Sequence, residues 1–423
     1  MRIVIATFGS LGDVHPAMAV GLELRERGHD VVIATSAVYE EKIVAAGLGF
    51  HPLRPDIPRE DPATIAYMLD AKKGPERLLR EYLMPAVRDQ YADLIDATRG
   101  ADLLLASELV YAAPLVAETT SIRWATHALA PLSFFSSYDP PIAPNHPEAA
   151  LLYRLGPRFV SAMLGVGRLL TNRWMRELYA LRRELGLGRG PHPVFEGKFS
   201  PRLVLALFSR VIGAPQPDWP AHTVQTGFTF FDTNGATISA DVEEFLNAGD
   251  PPIVFTLGSS AVVDPGRFFH ESIEAAERVG RRALLIAGDE RPVGEVPPTV
   301  HVTAYVPYSM VFPRVAAVVH PGGIGTTAQT LRAGVPMIVV PYSFDQPDNA
   351  ARLRRAGVSE TISRGRYRVD RVASTLRRVL DEPRYRQNAR ALAAEMEKER
   401  GAKGAADAVE GMLDYAGPDR PHL

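Results

Sequence analysis

Val315-Ala316-Ala317-Val318-Val319-His320-Pro321-Gly322-Gly323-Ile324-Gly325-Thr326-Thr327 is the stretch that decides the fold. Its first half, residues 315–320, is a short β-branched apolar run of the kind buried on both faces of a parallel sheet. A Pro-Gly-Gly turn ends the run, residues 323–333 carry helical spacing, and a second apolar run follows at 335–341. Strand, glycine turn, helix and strand in that order form the repeating unit of an open parallel sheet with helices on its faces. The turn also has a chemistry. Gly322, Gly323 and Gly325 let backbone amides approach an anion, and the helix N-terminus offers unpaired N–H groups at its positive end. Thr326 and Thr327 add hydroxyl donors, and an imidazole at His320 can reach a phosphate oxygen, so the segment reads as a diphosphate cradle. Glycines alone also serve tight turns.

Phe344-Asp345-Gln346 follows the second run at its C-terminal end, where open sheets bind their ligands. A carboxylate beside an amide suits adjacent sugar hydroxyls, one group accepting and the other both donating and accepting. The same alternation precedes the cradle, with a strand at 253–257, a helix at 268–279 and a strand at 283–287. It also fills the N-terminal half. A strand at 3–7 leads into the turn Phe8–Asp13, and a helix is expected to begin at Pro16 and run over 17–27 to a glycine cap at Gly28. Strands at 31–35, 102–106 and 123–126 follow, with a helix at 112–119. Proline and glycine mark 213–234 as a linker. The fold expected is α/β, with two doubly wound Rossmann-like domains facing across a cleft. Residues 1–212 form the first domain and 235–385 the second. The end, 386–423, belongs to a helical pattern over 371–415 broken at Asp381-Glu382-Pro383, and is expected to pack back on the first domain.

A chain of 423 residues exceeds the size at which one core keeps growing, which agrees with two domains. The net charge of −2 gives no global electrostatic reason to expect nucleic acid or an anionic membrane as a partner, and cysteine is absent, which removes thiolate metal sites and a cysteine nucleophile. No signal peptide pattern and no run of ~18 apolar residues is seen, so the expectation is a cytoplasmic protein without a stable membrane anchor. Residues 151–183 are helical and locally basic, with seven arginines against Glu177 and Glu184. That pattern fits either a solvated face or a surface for an anionic lipid.

His320-Pro321-Gly322-Gly323-Ile324-Gly325-Thr326-Thr327, Gly334-Val335-Pro336, Asp345-Gln346 and Asn349-Ala350 together resemble the donor signature of the UDP-dependent glycosyltransferases, in the bacterial branch that glycosylates antibiotics, macrolides and sterols. Phe8-Gly9-Ser10-Leu11-Gly12-Asp13-Val14-His15-Pro16 resembles the Gly-Asp-Val-x-Pro turn of the same branch. The resemblance spans the chain and implies the two-domain GT-B fold, a UDP- or dTDP-sugar donor, a hexose such as glucose, no cofactor and a small hydrophobic acceptor. It implies that His320 contacts the diphosphate, assisted near Gly322, Gly323, Gly325, Thr326 and Thr327. Asp345 and Gln346 would hold the sugar, Val306 would read the pyrimidine edge, and Gly258 and Ser259 would lie near the phosphates. The ribose-binding glutamate of the plant pattern is not evident, which leaves uracil and thymine open.

Inverting transfer needs a base for the acceptor hydroxyl and stabilisation of the leaving diphosphate. Helix N–H groups meet the second need, and no Asp-x-Asp metal motif sits at a suitable strand end, so a metal-independent reaction is expected. Asp13 and His15 are the candidate bases. Motif alignment favours Asp13, whereas His15 has the better intrinsic pKa, and Glu108 is a candidate backing acid. His127, Phe134 and Phe135 are candidate acceptor contacts. A nucleotide-sugar epimerase and a non-catalytic nucleotide-sugar binder on the same fold are the alternatives.

Overall fold

The computed structural model describes residues 1–56, 62–142, 147–232, 235–258, 265–288 and 295–414. Two all-parallel sheets organise them. The first has seven strands: β1 Arg2–Ala6, β2 Asp30–Thr35, β3 Gly49–Pro52, β4 Leu103–Ser107, β5 Arg123–Ala128, β6 Val204–Ala206 and β7 Thr223–Gln225, in the order β3-β2-β1-β4-β5-β6-β7. The second has six: β8 Ile253–Thr256, β9 Ala283–Ile286, β10 Val300–Thr303, β11 Ala317–His320, β12 Met337–Val339 and β13 Ser359–Thr361, in the order β10-β9-β8-β11-β12-β13. Each order reverses once, between β1 and β4 and between β8 and β11. The crevice outside those strand ends is where ligands bind in such sheets.

Alternate residues of the buried strands face opposite cores, as a two-residue period requires. Leu103 and Leu105 of β4 join Ile3, Ile5 and Met18, whereas Leu104 and Ala106 join Val4, Leu94 and Leu115 on the other face. In the second sheet Ile253 and Phe255 pack with Phe269 and Leu376, while Val254 packs with Phe312 and Val318. A further apolar cluster joins the two halves, bringing Phe134, Phe208 and Phe228 against Ala328, Leu331 and Met337. No helix among the described residues is long and apolar enough to cross a membrane.

The first helix spans Leu11–Glu26, starting five residues before Pro16, which lies inside it. Ser10 is the reason. Its side chain accepts from the Gly12 N–H at 3.1 Å, and the Asp13 carboxylate at N3 accepts from the Ser10 N–H at 2.7 Å. This reciprocal capping box satisfies two orphan donors and starts the helix where a proline alone would not have placed it.

The chain crosses between the halves twice. Thr226–Phe228 lead from the first sheet toward the second, and the C-terminal path returns through 397–400, where Gly401 donates to the Thr226 carbonyl at 2.7 Å. Beyond that crossing the Gly401–Asp414 helix lays Ala405, Ala406, Val409 and Leu413 into the core of the first sheet. Arg27 holds the helix through Asp407 at 2.8 Å and Glu410 at 2.7 Å. The segment 371–415 thus forms three helices, Val369–Asp381, Pro383–Met396 and Gly401–Asp414, with a second break at the crossing.

Candidate functional site

Two strand–turn–helix units meet in the crevice. One is β1 with the Leu11–Glu26 helix, the other β11 with the Ile324–Arg332 helix. Their N-termini approach so closely that a Cβ built on Gly325 would lie 3.7 Å from Gly12 Cα. A third turn joins them from β8, since a Cβ on Gly258 would lie 3.7 Å from Thr326 Oγ1, and Gly258 itself has φ +65°.

The turn after β11 is built for close approach. Gly322 has φ +94°, and a Cβ there would come within 2.6 Å of Val339 Cγ1. Gly323, the N-cap of the helix, supplies no side-chain cap, and no acid sits in the first turn. Several polar atoms around this turn are buried without a partner: Thr327 Oγ1, Gln329 Oε1 and Asn349 Oδ1. The uncapped helix start with its orphan N–H groups marks a candidate anion site, whereas Thr327, turned inward, does not contribute to it.

His320 is placed differently from expectation. The ring is fully buried and does not face the crevice; Nδ1 accepts from the Gly322 N–H at 3.1 Å and Nε2 lies 3.2 Å from Met337 Sδ. Burial lowers its pKa to about 3, so it is neutral. It shapes the glycine turn from behind. Thr327 is likewise turned inward, while Thr326 borders the crevice near Gly258 and the Tyr308 hydroxyl, which in turn lies 3.1 Å from Thr256 Oγ1.

Asp345 stands at the far side of the turn, after Phe344, whose φ of +57° is costly for a bulky residue and is the kind of strain found at functional sites. Asn349 Nδ2 donates to Asp345 Oδ2 at 2.7 Å and to the Gly322 carbonyl at 2.9 Å, tying the carboxylate to the glycine turn. Burial raises the Asp345 pKa to about 7, opposed by the Asn349 hydrogen bond and reinforced by the charge of Asp13 across the crevice. Gln346 Oε1 accepts from the Tyr342 N–H at 2.8 Å and the Ser343 N–H at 3.3 Å, which orients its amide NH2. Val306 is buried in the second core and anchors a turn at which Tyr305 is exposed. Ser259 lies outside the described residues.

On the other wall, Asp13 faces Asp345 from the first turn of its helix, with Oδ2 held by Ser10. His15 points elsewhere. Its ring packs 5.0 Å from Phe231, its Nε2 is buried without a partner, and burial with the nearby Lys42 charge lowers its pKa to about 4. Glu108 does not back either residue: its carboxylate is taken up by the Lys198 ammonium and the Ser133 hydroxyl. His127 ends β5 fully buried, with neither nitrogen in a hydrogen bond. Burial lowers its pKa to about 4, with the Ala6 carbonyl acting the other way. Phe134 belongs to the core that joins the halves, stacked between Phe199 and Trp219, so its ring is not available as a pocket wall. Phe135 (φ +46°) stands beyond it, its ring tilted 40° against Phe195 at 4.9 Å.

A group of residues that the sequence did not disclose holds the two walls together. Arg352 donates to Asp348 at 2.7 Å, to Asp139, and to the Ile212 carbonyl at 3.2 Å, while Asp348 also accepts from the Ile142 N–H at 2.9 Å. Arg352 and Asp348 are buried, with side chains 3% and 2% exposed. Ser343 beside the site donates to the Asp70 carbonyl at 3.1 Å, a second tie between the halves. Apart from Arg352–Asp348, four residues apart on one helix, these pairs are far apart in sequence, and no motif announces them.

Similarity to known proteins extends over both walls. Residues 3–131 match the glycosyltransferase family 28 N-terminal domain, and residues 279–411 match the erythromycin biosynthesis protein CIII-like C-terminal domain. The chain is 33% identical to O-mycaminosyltylonolide 6-deoxyallosyltransferase of Streptomyces fradiae, over 97% of each protein. It is 30% identical to a sterol 3-beta-glucosyltransferase of Arabidopsis thaliana, over 96% of this chain and 65% of that enzyme. Among solved structures, the kitacinnamycin glycotransferase has a TM-score of 0.72 at 20% identity, over 97% of this chain and 99% of that one. The glycosyltransferase VinC in complex with dTDP has a TM-score of 0.71 at 19% identity, over 98% and 100%. These structural likenesses concern the fold.

Proposed function

We propose, from the premise that this chain belongs to the bacterial natural-product glycosyltransferases of the GT-B fold, that it moves a hexose from a UDP- or dTDP-sugar to a hydroxyl of a small lipophilic acceptor with inversion and without a metal. One observation carries the reading: an uncapped helix start at Gly323–Thr326 faces a capped one at Ser10–Asp13, with carboxyl groups of Asp13 and Asp345 on either side. The N–H groups at Gly325 and Thr326 and the positive end of their helix take the diphosphate. Asp345 and the Gln346 amide take sugar hydroxyls, and Val306 the base. In the first half, Phe135 borders the acceptor, whereas His127 is fully buried. The relatives act, by their names, on O-mycaminosyltylonolide and on sterols, and VinC binds dTDP, which supports this donor and acceptor chemistry.

The reaction balances without a further reagent. Asp13 accepts the proton of the acceptor hydroxyl while that oxygen bonds to the anomeric carbon, and the bond from that carbon to the diphosphate oxygen breaks. The leaving charge passes to the helix N–H groups, and attack opposite the leaving group inverts the centre. Asp13 suits the role better than His15, because His15 is buried, neutral and turned toward Phe231.

Incubation with UDP- and dTDP-glucose and a panel of phenolic, sterol and macrolide acceptors, read by mass, should give a glycoside with at least one pair. Asp13→Asn should abolish it and His15→Gln should retain it within about tenfold, since only a general base is worth ~10²–10⁴ in rate. The reverse pattern would move the base to His15. Nucleotide binding with no transfer to any acceptor would make the chain a binding protein.

A further inference from the structure

The Pro157–Thr171 helix is inverted in polarity relative to an ordinary surface helix. Of its residues only Val160 is fully buried, whereas Phe159, Val166, Leu169 and Leu170 face solvent, the last two 77% and 67% exposed. Their spacings of three, four and seven put them on one face with Arg158 at its start, and Leu151 and Leu155 extend the apolar surface before the helix. Contiguous exposed apolar surface of this kind marks an interaction site.

Charge says what covers it. Arg158 at one end of the face and Arg173 and Arg176 beyond the other have no acidic partner among the described residues, unlike Arg168 of the same helix, which pairs with Glu196. Arg173 and Arg176 line an open recess of about 640 Å³ with Arg80, Leu170 and Trp174. Arg80 is paired with Glu76, which leaves the Arg173 and Arg176 guanidinium groups beside aliphatic and indole surface, a combination that fits phosphate headgroups above acyl chains. We infer that this helix and its arginine recess dock the protein on an anionic lipid surface. An apolar face with an unpaired basic rim matches the headgroup–acyl boundary, whereas a second copy would bring the same arginines toward each other. The opposite side of the helix leans on the proposed acceptor wall: Arg168 lies 4.7 Å over the Phe195 ring, which the tilted Phe135 ring contacts at 4.9 Å. On the functional reading above, an acceptor dissolved in the bilayer would therefore enter beside Phe135.

The test is sedimentation of the full chain with phosphatidylglycerol-containing and pure phosphatidylcholine vesicles, which needs no turnover and is independent of the glycosyl-transfer reading. Binding should favour the anionic vesicles and weaken toward ~1 M salt, where the Debye length falls to ~3 Å. Arg173→Ala with Arg176→Ala should weaken it about thirtyfold, at about 1 kcal/mol per arginine near such a surface. Leu169→Ser with Leu170→Ser should reduce binding to both vesicle types while leaving melting temperature and turnover of a water-soluble acceptor unchanged. Equal binding to both vesicle types, no binding, or variants that bind like the parent would overturn the proposal. Self-association at the helix would assign the face to a second copy instead.

Discussion

The two helix starts that meet in the crevice are built on one plan and finished in opposite ways. Both follow a buried parallel strand through a glycine turn, and both point their positive ends into the same space. At Ser10–Asp13 the first turn is closed by its own side chains, with an acid at N3. At Gly323–Thr326 there is no cap and no acid. A carboxylate already seated on one N-terminus would repel an anion there and stays available for a proton, whereas the bare terminus retains N–H groups for an outside anion. The contrast divides proton transfer from diphosphate binding without requiring two different folds.

Removing the acid tests the division most severely. Asp13→Asn should lower kcat by about 10²–10⁴-fold while the affinity for UDP or dTDP, measured by calorimetry, stays within a few-fold. A large loss of nucleotide affinity would mean that the capped turn also belongs to the donor site. Next in size is the tie between the halves. Arg352→Ala leaves Asp348 buried without its cation, while Asp139 keeps Arg355, and should cost about 3–5 kcal/mol in denaturant unfolding. Little change in stability would mean that the halves hold together through their apolar cluster alone.

Finishing the second turn like the first sharpens the comparison. Gly323 has an ordinary φ of −58°, and a Cβ there meets nothing within 4 Å. Gly323→Asp should therefore raise stability by about a few tenths of a kcal/mol and weaken nucleotide binding by about ten- to a hundredfold, or ~1.4–2.8 kcal/mol. Unchanged binding would place the diphosphate elsewhere. The smallest effect concerns Asp345. Its pKa is raised from 3.8 to about 7 in the fold, so its contribution to stability is present below about pH 4 and lost as pH rises through 7. Asp345→Asn should flatten that fall, gaining about 1–2 kcal/mol at pH 8 after allowance for the partial exposure of the group. Parallel stability profiles for the two proteins across pH 4–8 would show that Asp13 and burial do not act on this carboxyl as described.

The sheets were legible because parallel strands covered on both faces become unbroken apolar runs, as at β1, β4, β8 and β11. The strands β3, β6, β7, β10 and β13 escaped for the converse reason. They have three or four residues, and most lie at or near sheet edges where their hydrogen bonding, more than their own composition, defines them. β7 falls inside the stretch read as linker for its prolines and glycines. The first helix was read as starting late because Gly12 and Pro16 argue against an earlier start, although Ser10 and Asp13 carry the S-x-x-D spacing of a capping box. At the site, residue types name segments that the fold brings together, but they do not show which partners each side chain takes. An imidazole at a strand end is chemically suited to phosphate, and only the folded turn reveals that Gly322 occupies its Nδ1. Glu108 was plausible as a backing acid until Lys198, 90 residues away, claimed it. The Asp139–Arg352 contact, across 213 residues, left no pattern to read.

The return of the C-terminal helix to the first sheet has a consequence for biosynthesis. Ile3, Ile5 and Met18 share a core with Ala405, Ala406 and Val409, so strand β1 and the helix after it wait until the Gly401–Asp414 helix has been made before that face is fully covered. Until then the apolar face is open to chaperones and to aggregation.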